Sequence, residues 1–164
     1  MKRTLVFVFA ALMAIASLAQ NLNFGGLEIG TSTANDFKDM MAAKNFTYNP
    51  EAPGLTFTGV MDGCFTVASA DINKSNGVVK ALALILISEE WESHELVMLE
   101  FATALVQTYG ENYELLEPKG EDFDQQYKMV LRNETDAIVF ENAVLDDGSF
   151  QTSVLFTTEY TGKE

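Results

Sequence analysis

The sequence predicts an α+β fold in which two helices pack on one face of an antiparallel β-sheet. Only two stretches, about 33–44 and 93–109, space their apolar residues as amphipathic helices do. Each is followed by short β-rich segments separated by Gly, Asn and Asp turns, a pattern typical of antiparallel meanders. The apolar residues of the segment 78–87 would occupy both faces of a strand, so we place this strand at the centre of the sheet.

The N-terminus predicts a cleaved secretory signal peptide of bacterial type, residues 1–19. Lys2 and Arg3 precede the apolar core Leu5–Ala16, and Ser17–Ala19 provides the small residues that a signal peptidase recognises. This core is shorter than the roughly 20 apolar residues that a membrane span needs. We therefore expect an exported protein, periplasmic or secreted, without a membrane anchor, in which residues 20–164 form a single domain.

The acidic composition argues against two classes of partner. The chain has 10 basic and 24 acidic residues, a formal charge of -14, and loss of Lys2 and Arg3 with the signal peptide changes it to -16. Such a surface repels the phosphate groups of nucleic acids and of anionic lipids, so we expect neither as a partner. With Cys64 as its single cysteine the chain has no internal disulfide, and its stability must come from the core.

The first half of the predicted domain contains one helix and one meander. Asn21–Ile29 leads in as a short strand or extended arm. Thr33 and Asp36 resemble a capping box at the start of the helix 33–44, and Asn45 can end this helix in a left-handed conformation. The predicted strands of the first meander are Phe46–Tyr48, Leu55–Val60, Cys64–Ala70 and Val78–Ile87.

The second half follows the same order. We place Ser93 at the N-cap of the second helix and Gly110 at its C-terminal end. The predicted strands of the second meander are Tyr113–Leu116, Gln125–Arg132, Ala137–Val144 and Phe150–Tyr160, with a charged loop at Glu117–Asp124. The halves 24–88 and 89–160 thus share a layout. A tandem helix–meander repeat and an accident of α+β layering both explain it, and the sequence leaves the choice open.

Two short segments resemble those of bacterial envelope proteins. Leu27–Ser32, which reads Leu-Glu-Ile-Gly-Thr-Ser and leads into a helix, is similar to the opening of the SmpA/OmlA outer-membrane assembly lipoproteins and of the β-lactamase-inhibitor-protein fold. Thr108–Gly110 is similar to the end of the second helix in exported Bacteroidetes proteins of unknown function. The chain lacks the lipid-accepting cysteine of the lipoproteins and the disulfides of the inhibitor proteins. The resemblance implies a helix–sheet binding platform and no particular chemistry.

The sequence contains no recognisable catalytic or cofactor motif. A nucleophilic site built on the only histidine, His94, needs a Ser or Cys within reach, and the adjacent Ser93 is better used as a helix cap. Asp71–Gly77 has the first ligands of a calcium loop, but its glycine comes one position late and Leu82 stands where the last ligand is needed. A hairpin turn explains this segment better, so we expect no metal site and no cofactor.

Aromatic residues near the second helix are the candidate binding residues. Trp91, Tyr113, Phe123 and Tyr127 are predicted to be exposed in or beside loops, with His94 close to Trp91. Aromatic side chains carry much of the binding energy at interfaces and sugar sites. The other interpretation is that they cap the edges of the core, and the sequence leaves both open.

The sequence favours a non-catalytic binding or interaction module of the bacterial envelope over an enzyme. The partner would be an unknown protein or a small ligand, and the sheet face without helices would be the binding platform. The alternatives are a small secreted hydrolase, with carboxylates near Trp91 and His94, and a small-ligand carrier. A cleft with convergent polar groups would indicate the hydrolase, and an enclosed apolar cavity would indicate the carrier. An open sheet with exposed aromatic residues would indicate the binding module.

Overall fold

A computed structural model describes residues 22–61, 63–89, 91–119 and 126–159. The predicted signal peptide and the candidate Phe123 lie outside these ranges. Within them the chain forms two helices, a two-stranded hairpin and an eight-stranded antiparallel sheet, which confirms the predicted α+β class. The elements are β1 Asn23–Phe24, β2 Leu27–Glu28, α1 Ala34–Ala43, β3 Thr47–Tyr48, β4 Leu55–Met61, β5 Cys64–Ile72, β6 Val79–Ser88, α2 Trp91–Tyr109, β7 Glu114–Lys119, β8 Gln126–Arg132, β9 Ala137–Val144 and β10 Phe150–Thr157.

The large sheet has the strand order β3-β4-β5-β6-β10-β9-β8-β7. The strand β6 pairs with β5 on one side and β10 on the other, so the predicted central position of this apolar strand is confirmed. The pairing of β6 with β10 joins two four-stranded meanders, each of which follows one helix. A repeated unit as the origin of this layout stays a prediction.

Both helices pack on the same face of the sheet, which we call the helix face. Phe37 of α1 meets Phe57 of β4 edge to face, with ring centroids 5.5 Å apart. Phe101 of α2 stacks on Phe140 of β9 with centroids 6.3 Å apart. Paired residues project on the same side of a sheet, and one row joins Phe57 to Phe140 through Ala68, Leu84 and Val154.

The core fills the space between the helix face and the helices. Leu82, Leu84 and Leu86 of β6 are almost fully buried, and Phe101 and Leu105 of α2 belong to the same cluster. Burial of an aliphatic side chain of this size contributes about 1.5–3 kcal/mol. Because these leucines alternate along β6, they bury one face of the strand in the core. The residues between them project on the other face.

The ends of α1 follow the sequence signals closely. Thr33 Oγ1 accepts a hydrogen bond from the Asp36 amide at 3.3 Å, and an Asp36 carboxylate oxygen accepts one from the Thr33 amide at 2.7 Å, so the predicted capping box is confirmed. Asn45 has a φ of 61°, the predicted left-handed conformation. These features bring the chain directly from α1 into β3.

Two predicted boundaries in the second half are wrong. The second helix already begins at Trp91, so Ser93 lies inside its first turn and does not precede it as an N-cap must. The strand β7 continues to Lys119 and includes Pro118, where the sequence predicts a charged loop. An edge strand tolerates a proline because one side needs no ladder hydrogen bond, and the pairing shifts register between Leu116 and Lys119.

Candidate binding surface

The second face of the sheet, which we call the open face, carries neither helix of the described chain. Side chains alternate along a strand, so the residues between the buried ones project onto this face. On the central strands these outward residues are mostly apolar, where an ordinary solvent-facing sheet has polar ones. They are Phe65, Val67 and Ser69 on β5 and Ala83, Ile85 and Ile87 on β6.

An apolar patch, defined by Val60, Phe65, Val67, Ile85, Ile87 and Leu155, crosses the open face from β4 to β10. The register pairs Val60 with Phe65, and Phe65 with Ile87. Val60 is 68% exposed, Phe65 49% and Leu155 37%. Val67, Ile85 and Ile87, which lie among them, are partly buried. Apolar surface that extends over neighbouring strands marks interaction sites more often than scattered single residues do.

Ion pairs border the apolar patch. Lys128 Nζ lies 2.5 Å from Glu141 Oε1 on the paired strands β8 and β9. At another border, Lys80 Nζ lies 3.1 Å from Asp71 and 3.2 Å from Glu159. The hydrogen bonds to these two carboxylates raise the pKa of Lys80, and the bond to Asp71 has the larger effect. Because these cations lie against carboxylates, the border adds little to the net charge of the molecule.

Two shallow depressions lie in the described surface. One, of about 370 Å³, is next to the Lys128–Glu141 pair and is lined by Tyr127, Lys128, Glu141, Asn142, Ala143, Gln151 and Ser153. The other, of about 350 Å³, lies between the hairpin and α1 and is lined by Gly25, Gly26, Leu27, Asp36, Met40, Ala43 and Lys44. The depression beside Lys128 and Glu141 continues the open face and adds polar groups to it. In the depression beside α1, the Asp36 carboxylate already accepts a hydrogen bond in the helix cap.

The predicted site residues do not converge on one place. Trp91 and His94 are the first and fourth residues of α2, which follows directly on β6. Tyr127 lies toward the same end of the sheet, where its ring meets Phe140 edge to face at 6.2 Å. Partial burial raises the pKa of Tyr127. Phe123 lies outside the described residues.

Tyr113 is buried, so the prediction that it is exposed is wrong. It is 6% exposed, and its ring packs on Tyr109 with centroids 5.4 Å apart. Its hydroxyl donates to an Asp136 carboxylate oxygen at 3.4 Å, and burial, together with the negative charge of Asp136, raises its pKa. After Tyr113 the strand β7 begins opposite Arg132, at the end of β8 remote from Tyr127.

The sequence pattern does not single out the apolar patch residue by residue. The available signal was the both-faced apolar pattern of β6, extended by outward Phe65 and Val67 on β5. Among the residues that the structure describes, no three His, Cys, Asp or Glu side chains are grouped to hold a metal ion. In the same residues neither helix has the length and apolar character that a membrane crossing requires.

The chain matches no protein-family model, no curated protein and no solved structure. The resemblance to the envelope proteins therefore stays a prediction.

Proposed function

We propose that this chain is an exported, non-catalytic binding module of the bacterial envelope and that its open face contacts the partner. The observation that carries the proposal is the apolar patch, in which Phe65 and Val60 are about half exposed or more. Burying such residues against a partner contributes about 25 cal/mol per Å² of apolar surface removed from water. The export and the envelope location rest on the N-terminal sequence.

The arrangement of the open face supports this proposal. Interfaces typically combine an apolar centre with a polar, hydrated rim. The patch has this form, since Phe65 and Ile85 lie on neighbouring strands and the Lys128–Glu141 pair lies toward the border. Phe65 is an aromatic residue, a type that is enriched at protein interfaces.

Capture from an envelope fraction tests the proposal. The tagged protein is incubated with the fraction, washed at several salt concentrations, and compared with a Phe65→Glu variant. The matched control is Leu99→Glu, because Leu99 on α2 is 41% exposed and the change adds the same charge. We expect Phe65→Glu to lose the captured partner and Leu99→Glu to retain it. Capture of no specific partner at any salt, or equal loss in both variants, would contradict the proposal.

A further inference from the structure

We propose that the occupant of the open face is a second copy of this chain, bound face to face about a two-fold axis. The inference rests on the proposed function and names the partner at the same surface. The area of the face, its charges and the order of large and small side chains along the strands point to this occupant.

The open face has the size that a stable dimer needs. The six long strands β4, β5, β6, β10, β9 and β8 lie side by side. At about 4.8 Å between strands and about 3.3 Å per residue, roughly seven residues of each strand give a face of roughly 700 Å². A standard stable interface removes about 600–1,000 Å² from each partner. Two copies packed as a sandwich at about 10 Å separation would cover the patch.

The charges of the face permit contact between identical surfaces. The formal charge of the chain is -14, which opposes self-association in general. At the border of the patch, however, Lys128 pairs with Glu141 and Lys80 pairs with Asp71 and Glu159. These groups carry two positive and three negative charges, so most of the charge that a second copy meets is paired, and the remaining repulsion is screened by salt.

Large and small side chains are ordered in a way that suits a two-fold axis. The outward residues of β5 and β6 form three cross-strand rows. The register pairs Phe65 with Ile87, Val67 with Ile85, and Ser69 with Ala83. An axis along the middle row, Val67 and Ile85, turns the large end of one copy onto the small end of the other. Phe65 then faces the second copy's Ser69, and Ile87 faces its Ala83.

This complementarity predicts a size-exchange result. Ala83→Ile adds apolar surface but fills the space that Ile87 of the second copy needs, so dimerisation should weaken roughly tenfold. Ile87→Ala should weaken it by a similar factor because it leaves a void. The double variant Ile87→Ala with Ala83→Ile exchanges large and small and should recover most of the affinity. A surface that is merely adhesive would instead associate more strongly after Ala83→Ile.

Sedimentation of the purified protein over a range of concentrations measures the affinity, with circular dichroism as the check on folding. We expect a reversible dimer that tightens severalfold between about 0.05 M and about 0.5 M NaCl, because salt screens the repulsion between acidic copies. A Val67→Cys variant should be linked by a short bis-maleimide reagent. Thr103→Cys, on the exposed side of α2, should not.

The outcomes separate this inference from the proposed function. A protein that stays monomeric at all concentrations and salts, or a dimer that is unaffected by both single size variants, overturns the second-copy inference. If the protein is monomeric and Phe65→Glu still abolishes capture of a different envelope protein, the proposed function stands and the second copy is wrong. A dimer that obeys the size exchange and is the species recovered in the capture experiment supports both.

Discussion

The hydroxyl of Tyr109 donates a hydrogen bond to the backbone carbonyl of Asn23, a residue 86 positions earlier in the chain. This bond joins the last residue of α2 to the first residue of the β1–β2 hairpin. The hairpin also packs on the sheet, since the ring of Phe24 lies 5.4 Å from that of Phe156. The N-terminal hairpin is thus held by both the second helix and the last strand.

Tyr109→Phe should lower the free energy of unfolding by about 1 kcal/mol at pH 8, because the Asn23 carbonyl loses its donor while the ring is retained. Urea denaturation measures the change. Tyr48→Phe is the control, since Tyr48 is 50% exposed and should change the stability little. Equal effects of the two substitutions would show that the buried hydroxyl bond contributes nothing.

Alkaline pH should destabilise the fold through the same residue. Burial raises the pKa of Tyr109 from its ordinary value of 10.0 to about 12, while the Asn23 amide, which donates to the hydroxyl oxygen at 3.4 Å, acts in the opposite direction. The folded state therefore holds the proton more tightly than the unfolded state. The stabilisation is complete below about pH 10 and is lost as the pH rises toward 12.

Denaturation of the wild type should accordingly show a falling free energy of unfolding above pH 10, with a total loss of roughly 2–3 kcal/mol from Tyr109 by pH 12. Tyr109→Phe should have a shallower slope, the remainder coming from Tyr113, whose pKa is raised in the same direction. Parallel slopes for the wild type and the variant would show that Tyr109 does not cause the loss of stability above pH 10.

The capping box at the start of α1 should give the opposite dependence on pH. Hydrogen bonds from the amide and hydroxyl of Thr33 lower the pKa of Asp36 below its ordinary value of 3.8. A carboxylate with a lowered pKa stabilises the fold above its unfolded pKa, and this contribution is lost as the pH falls through the folded one.

Thr33→Ala should therefore cost about 1 kcal/mol at pH 7, where both hydrogen bonds of the box are present. The difference from the wild type should shrink once the pH is below that lowered pKa, because Asp36 is then protonated in both proteins. Thermal unfolding at a series of pH values measures this difference, and a constant difference down to pH 2 would contradict the role of the charged carboxylate.

Gly59 in β4 lies under the ring of Phe46, and this contact should make the position intolerant of a side chain. A Cβ at Gly59 would lie 2.8 Å from two ring atoms of Phe46, which is itself buried. Gly59→Ala should therefore cost about 1–3 kcal/mol. In a double-mutant cycle with Phe46→Ala the costs should be less than additive, because the smaller side chain removes the clash. Additive costs would mean that the destabilisation arises from the backbone at position 59 and not from a clash with the ring of Phe46.

Local signals were sufficient for much of the fold. The capping box of Thr33 and Asp36 and the left-handed Asn45 are set by neighbours in the chain, so their positions could be predicted from sequence. The central position of β6 followed from its apolar residues on both faces. The start of α2 could not be placed as well, because Ser93 fits a cap and a first turn equally, and contacts with distant strands decide between them.

The candidate site was less accessible to prediction. Tyr113 follows a helix end and precedes a strand, which locally suggests exposure, yet it packs on Tyr109 and reaches Asp136 across the chain. Val130 projects on the side of β8 opposite Met129 and Leu131, yet it is only 6% exposed, between Val139 and Leu116 of the neighbouring strands. Burial of this kind depends on which strands are neighbours, a property that no local pattern contains.

By itself the sequence determined the α+β class, the position of the first helix with its cap, and the apolar pattern that makes β6 central, because these depend on residue spacing along the chain. The tertiary structure alone decided which side chains of each strand the helices cover and that Val60, Phe65 and Leu155 share the other face. The reason is physical: the pairing of β6 with β10 and the register of each strand bring residues far apart in sequence onto one surface. Apolar character alone does not say which side of the sheet is left uncovered.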